Sequence, residues 1–425
     1  MPLSFFKSSP RPSQGTSWEQ ASAVVFVGLF LAFPLSLALT SVLMAVFLVL
    51  WVLGGQWRGA MSSVRANPVA LAALALWAVI VLGVLWTPAP WDDVQLHLSK
   101  YSKLLFVVAL MTVAVGADTY RRALLGFVVA MMFILVSTWL NVWMVLPWSK
   151  TQVPGWGLSH HVVGDYITQN VMMALFTLLA LFRAKSARAP AASAAWFAVA
   201  AMAAVSITHL SDGRTGYLLL FSVLVYFVAV SFRGKALWLS TIAALLVISL
   251  AYASSSLMRE RVAKAVDEIS RIEDDKYTSI GNRLYLYDIT PDMIAEKPLL
   301  GHGTGAYHTE ICRYVDTPPG CHGWINWHPH NQFLFFAADH GLLGLLVYLT
   351  MLASMAWVAY RTPDREAGVL LGGLTVLLIV NGMINSPLWS ARESHLFFLM
   401  MGLWVPRALS ALRPVVGSRG QGGPA

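Results

Sequence analysis

Residues 328–359 read HPHNQFLFFAADHGLLGLLVYLTMLASMAWVA. From Asn331 onward the run is apolar apart from Asp339 and His340, and it is longer than the roughly 20 residues a helix needs to cross about 30 Å of hydrocarbon. His328, Pro329, His330 and Asn331 stand just before it, so the stretch predicts a transmembrane helix with titratable groups where lipid meets water. Working outward, comparable apolar stretches recur with cores near 22–38, 40–54, 68–86, 103–117, 123–146, 167–182, 192–208, 216–232, 236–253, 367–385 and 395–410. Helices satisfy their own backbone in lipid. The pattern therefore predicts an all-α, polytopic integral membrane protein of about twelve transmembrane helices with one large loop, residues 254–330, that itself contains helices. The composition agrees: 57% of residues are hydrophobic and 12% charged, against about a quarter charged in soluble domains. In the first pair of stretches, Pro34 and the polar Thr40-Ser41 break fit two spans or one kinked segment with a re-entrant hairpin equally well.

The basic residues supply an orientation. With the N-terminus inside, the inner loops and tails hold 16 of the 29 Lys and Arg, whereas the short outer loops hold Lys100, Lys103, Lys150, Arg214 and Arg392. Positive charge is retained on the cytoplasmic side, so both ends are expected there, with no cleaved signal peptide. The net charge of +8 is then mainly an orientation signal and an attraction to anionic lipid, and no basic-aromatic pattern points to nucleic acid. Three units are expected: an N-terminal bundle over 1–253, the loop 254–330, and a C-terminal unit of spans and tail over 331–425.

All eleven histidines fall in outer loops or in helices reached from them, which places any proton chemistry on the exported face. Cys312 and Cys321 lie in the long loop, where a disulfide would close the Pro318-Pro319-Gly320 turn; two free thiols are the alternative. In the same loop Met258, Val262, Val266 and Ile269 recur at helical spacing, with Glu260/Lys264 and Asp267/Arg271 four apart, as in a surface amphipathic helix. A second helix is expected from about Asn282 toward Glu296, perturbed by Pro291 and ended by Lys297-Pro298. In Gly301-His302-Gly303-Thr304-Gly305 the glycines permit tight turns. The segment lacks the strand and helix of a phosphate-binding loop, so turn formation is the better reading.

In chain order, then, come Ser211-Asp212-Gly213-Arg214-Thr215-Gly216 before a span, Arg283, Pro298-Leu299-Leu300-Gly301-His302-Gly303-Thr304-Gly305, His330-Asn331 and Gly341-Leu342-Leu343-Gly344. This series over roughly residues 200–350 resembles the O-antigen ligase and O-antigen polymerase superfamily, and the length and single late loop look more like the ligase. The resemblance implies a glycosyltransferase of the bacterial inner membrane. It would move O-antigen polysaccharide from undecaprenyl diphosphate to lipid A-core oligosaccharide at the periplasmic face.

The chemistry of the residues is consistent with that implication. Displacement at a sugar carbon needs a base for the acceptor hydroxyl, and histidine titrates near neutrality. His330 matches the motif position and His328 is its rival; hydrogen bonding to loop backbone is the plain alternative for either. Arginine grips phosphate oxygens in two places, and the match assigns Arg214 and Arg283 to the diphosphate. The plain alternatives are a snorkelling Arg214 or one paired with Asp212, and a surface Arg283. Arg392 is a possible further contact, though an ion pair with Glu393 reads better. No cofactor or metal is expected: Asp92-Asp93 and Asp274-Asp275 stand away from the motifs, and His322, His328, His330 and the cysteines fit no zinc spacing. Asp339 and His340 either line the site cavity or, the preferred reading, rest inside the bundle. A polymerase or protein-glycosylating relative of the same superfamily is the alternative function. A twelve-helix transporter ranks last, because the ionisable groups concentrate in one loop and no repeat is visible.

Overall fold

The computed structural model describes residues 17–113, 116–271, 278–315 and 327–412. Among them every regular element is helical: α1 (Ser17–Ala32), α2 (Leu37–Leu53), α3 (Trp57–Arg65), α4 (Pro68–Leu82), α5 (Trp91–Tyr101), α6 (Lys103–Thr112), α7 (Ala117–Leu140), α8 (Tyr166–Ser186) and α9 (Pro190–His209). There follow α10 (Arg214–Ser231), α11 (Lys235–Ser254), α12 (Ser256–Ser270), α13 (Ser279–Glu296), α14 (Ala306–Glu310), α15 (Gln332–Arg361), α16 (Arg365–Ile384) and α17 (Ala391–Leu412). Nine helices among the described residues are long and apolar enough to cross a membrane, or ten if the bent pair α2 and α3 forms one span. The chain is a polytopic, all-α membrane protein.

Where the expected spans fall short, local chemistry explains it. α1 and α2 pack side by side across a turn at Phe33–Ser36 that contains Pro34, with the Ser36 side chain capping α2. The chain then bends by 100° into α3, after Gly54 and Gly55, the latter at φ +67°. The stretch expected to span from 103 to 117 is a helix of only 10 residues, too short for about 30 Å of hydrocarbon, with 114 and 115 outside the described residues. Hydropathy registers apolar length and is blind to where the backbone turns.

Polar caps start the principal helices. Asn331 Oδ1 accepts the N–H groups of Phe333 and Leu334 at 2.9 and 3.1 Å, which begins α15 directly after His330. Asp165 caps α8 through Thr168 N–H at 2.9 Å, and Asn67 caps α4 ahead of Pro68. Each such cap is worth about 1 kcal/mol. α8 is the most buried span and touches α7, α9, α10, α16 and α17. α11 buries none of its residues, as suits a helix whose apolar surface faces lipid.

Both expected loop helices are present. α12 carries the Asp267–Arg271 pair at 2.9 Å, and α13 runs through Pro291 to pack on α15. The glycine segment does more than turn. α15 breaks at Gly341, where φ is +63° and ψ −161°, so Leu342 and Leu343 cannot donate to Ala338 and Asp339 as a continuous helix requires. Leu342 N–H donates instead to Pro298 O (2.8 Å) and Leu343 N–H to Leu299 O (3.2 Å), while His302 and Gly303 N–H take the released carbonyls of Ala338 (3.0 Å) and Asp339 (2.8 Å). The loop is thereby spliced into a helix ladder at membrane depth with the backbone satisfied. Only glycine fits: a Cβ on Gly301 would lie 2.5 Å from the Asp339 carbonyl carbon, and one on Gly341 2.3 Å from that of Leu299.

Candidate active site

A cavity of about 510 Å³ opens between the start of α10, α12 and α13. The segment Ser211–Gly216 is seated on Asn170 of α8: Asn170 Nδ2 donates to Ser211 Oγ at 2.8 Å, and a Cβ on either Gly213 or Gly216 would come 2.5 Å from that nitrogen. This close approach aims Arg214 into the cavity. Its guanidinium donates to both oxygens of Glu268, at 2.9 and 2.7 Å, and Glu268 also accepts Ile280 N–H at 3.1 Å, which ties α12 to α13. The two-pronged hydrogen bond from Arg214 holds the Glu268 carboxyl below its ordinary value. Asp212, the partner that the plain alternative would give Arg214, pairs with Arg261 at 2.7 Å instead.

Arg283 lines the same cavity from α13, as does Lys264 from α12. Among the described residues Arg283 has no carboxylate partner. Burial pulls its guanidinium below the ordinary value, yet a guanidinium stays charged at any physiological pH. It is not the exposed surface cation of the plain alternative.

Tyr287, one turn beyond Arg283, lines the cavity and connects it to the histidines. Its hydroxyl lies 2.8 Å from His330 O and 2.9 Å from Met383 O, bridging α13 to both. The backbone N–H of His330 donates to His328 Nδ1 at 3.1 Å, so neutral His328 carries its proton on Nε2. The two rings are edge to face with centroids 4.6 Å apart. His330 alone among the described non-glycine residues has positive φ, at 52°, a conformation that costs on the order of 1–3 kcal/mol. Pinned on its N–H side by His328 and on its carbonyl side by Tyr287, the residue holds a fixed direction. Asn385 stands beside its ring and favours the protonated form. Burial, then the nearby Arg283 charge, pushes His330 down to about 4. Burial first, with His330 and Arg283 next, pushes His328 well below the histidine range. Both rings are neutral at physiological pH; the acceptor nitrogen of His328 is taken by the His330 N–H, which leaves His330 as the proton acceptor.

Two of the expected arginines and both histidines thus gather at one end of the bundle, and Arg392 stands apart. Its side chain packs over Gly164 and does not pair with Glu393. Adjacent residues on a helix point to different faces: Glu393 turns inward, where it accepts from Asn381 at 2.6 Å and Asn385 at 3.2 Å, and Arg392 Nη1 is buried with no hydrogen-bond partner. Asp339 accepts Tyr307 N–H at 2.8 Å and lies 3.4 Å from His97 Nε2. His340 is buried against Gly83. Neither lines the cavity.

No three His, Cys, Asp or Glu side chains come together as a metal site among the described residues. Cys312 lies in the turn Ile311–Tyr314. Cys321, His322, Pro318, Pro319, Gly320, Asp274 and Asp275 lie outside the described residues. Sequence reasoning missed Glu268, Tyr287 and Asn385. Only Tyr287 left a signal, its place four residues after Arg283 on one helix face.

Comparison with known proteins bears on this geometry. Residues 199–349 match the O-antigen ligase family model. The matched region contains Arg214, Arg283, His328, His330 and both spliced glycine segments, whereas Arg392 lies beyond it. A protein of Rickettsia conorii designated a candidate polysaccharide ligase is 22% identical over 165 residues, 37% of this chain and 38% of the relative. The chain thus matches well under two thirds of that relative's length.

Proposed function

We propose that this protein is an O-antigen ligase, transferring polysaccharide from undecaprenyl diphosphate to lipid A-core oligosaccharide at the periplasmic face of the bacterial inner membrane. Both termini are then cytoplasmic, 1–253 and 331–425 form the membrane bundle, and 254–330 is the periplasmic loop, braced by a Cys312–Cys321 disulfide. The observation that carries the reading is that Arg214 and Arg283 line one cavity whose wall residue Tyr287 hydrogen-bonds the His330 carbonyl. Diphosphate clamp and base are thereby held in one frame.

His330 takes the proton from the acceptor hydroxyl. The hydroxyl oxygen bonds to the sugar carbon as that carbon's bond to the diphosphate oxygen breaks. Undecaprenyl diphosphate leaves with the bonding electrons, and Arg214 and Arg283 neutralise the charge it gains. Arg214 must first release Glu268, exchanging one pair of anionic oxygens for another. Once a diphosphate sits on Arg283, the cation that depresses His330 is offset and the ring becomes a stronger base, so substrate arrival tunes the base toward neutrality. Fixed guanidinium charge makes a metal unnecessary in this scheme.

Deleting the gene in a smooth strain and separating its lipopolysaccharide on a gel tests the proposal. Bare core together with polymer accumulated on its carrier is expected. Core bearing one repeat would point to a polymerase, and an unchanged ladder would sink both readings.

A further inference from the structure

A second cavity, of about 530 Å³, lies against α2, α3 and α6 and shares no lining residue with the one that holds Arg214 and Arg283. Its walls are apolar, with Leu48, Phe106 and Ala109 among them, and Lys103 is the one charged residue lining it. Trp51 Nε1 donates to Thr112 Oγ1 at 3.1 Å at its far end. From Lys103 to Thr112 along α6 is about 14 Å at a rise of about 1.5 Å per residue, close to one leaflet of a hydrocarbon core about 30 Å thick. A trench of that depth with a cation at its lip is shaped for an acyl chain below a phosphate.

The lip is continuous with the active site. Lys103 Nζ donates to Ser394 Oγ at 2.7 Å in the first turn of α17, next to Glu393, which holds Asn385 at 3.2 Å, and Asn385 stands beside the His330 ring. One turn before Lys103, the Lys100 ammonium lies 5.2 Å from the centroid of the Trp389 ring. That ring contacts Phe335 at 5.6 Å, which in turn lies 6.1 Å from His328. Neither lysine has a carboxylate partner among the described residues. Desolvated cations without counter-ions are costly in a membrane protein and usually mark the path of an anion.

We propose that this trench seats an acyl chain of the acceptor glycolipid, with Lys103 and Lys100 receiving its phosphate, so that donor and acceptor reach the His330 loop from two separate cavities. The inference rests on the ligase reading for what the acceptor is. An ordinary phospholipid would fill the trench equally well, but it has no reason to be led toward the histidines, and a diphosphorylated lipid A matches two lysines better than one phosphodiester does.

Native mass spectrometry of the full chain in detergent, titrated separately with diphosphoryl lipid A and with phosphatidylglycerol, tests this. Lipid A should bind more tightly, and Lys103→Gln should weaken it about tenfold or more. Ala109→Trp, which fills the trench, should do the same without changing charge. In a transfer assay both variants should raise the KM for acceptor and leave the KM for donor unchanged. Equal binding of phosphatidylglycerol to the wild type, lipid A binding insensitive to both substitutions, or a rise in donor KM in place of acceptor KM would overturn the proposal. A wild-type protein that binds lipid A through Lys103 yet transfers nothing would support the trench and remove the ligase reading.

Discussion

Arg214 and Glu268, 54 positions apart in the chain, form a two-pronged ion pair with both contacts below 3 Å. The pair holds the guanidinium in the plane and direction that two phosphate oxygens would need, and it must open for them. Arg214→Lys keeps the charge but loses the fork, so kcat/KM should fall by about 10²-fold or more. Glu268→Gln weakens the competitor, so the KM for donor should drop while kcat stays within about threefold. Steady-state kinetics on purified protein separates the two. A Glu268→Gln variant as inactive as Arg214→Lys would show that the carboxylate holds the arginine in place and does not compete with substrate.

A neutral His330 gives a pH profile with a defined sign. A base held near 4 is competent above that value and lost as pH falls through it, so kcat/KM should be level from about pH 6 to 8 and drop on the acid side. Arg283 is the charge that lowers it after burial. Arg283→Gln should therefore move the acid limb to higher pH while lowering the maximum rate. His330→Ala should cost about 10²–10⁴-fold in kcat. An acid limb in the same place with and without Arg283 would detach the guanidinium from the base.

How far such a site can be read from sequence depends on which force places each residue. Apolar length places spans, and α12 followed from the spacing of Met258, Val262, Val266 and Ile269. Arg214 stood out because, in the orientation expected from the sequence, a cation at that lip of a span runs against the rule for short outer loops. Its partner Glu268 did not, since helical periodicity gives a face and never what the face meets. Arg392 and Glu393 misled for a related reason: adjacency in sequence looks like pairing, whereas consecutive helix positions diverge. The short α6 escaped because apolar residues continue beyond its last turn.

Metal dependence follows from the charge inventory. Arg214, Arg261, Lys264 and Arg283 converge on one cavity with Asp212 and Glu268 as its acidic residues. Both carboxylates are already paired, which leaves, among the described residues, no hard oxygen cage of the kind magnesium or calcium requires. Transfer by purified protein should proceed at an unchanged rate after treatment with EDTA. Loss of activity on chelation, restored by a divalent cation, would contradict the arginine clamp.

The splice of residues 298–303 into α15 joins the candidate site to fold stability. Four backbone hydrogen bonds link Pro298, Leu299, His302 and Gly303 to Ala338, Asp339, Leu342 and Leu343, and the same splice fixes where α13 delivers Arg283 and where α15 begins after His330. Gly301→Ala adds a Cβ where the Asp339 carbonyl already stands and at φ +68°. Clash and backbone strain together should cost on the order of 1–3 kcal/mol, read as a clear fall in thermal midpoint for protein in detergent. Gly341→Ala should act alike because it meets the Leu299 carbonyl. The two substitutions attack one junction from its two sides, so the double variant should lose less than the sum of the single losses. Full additivity would mean that the glycines serve separate ends and that the helix break stands without the loop.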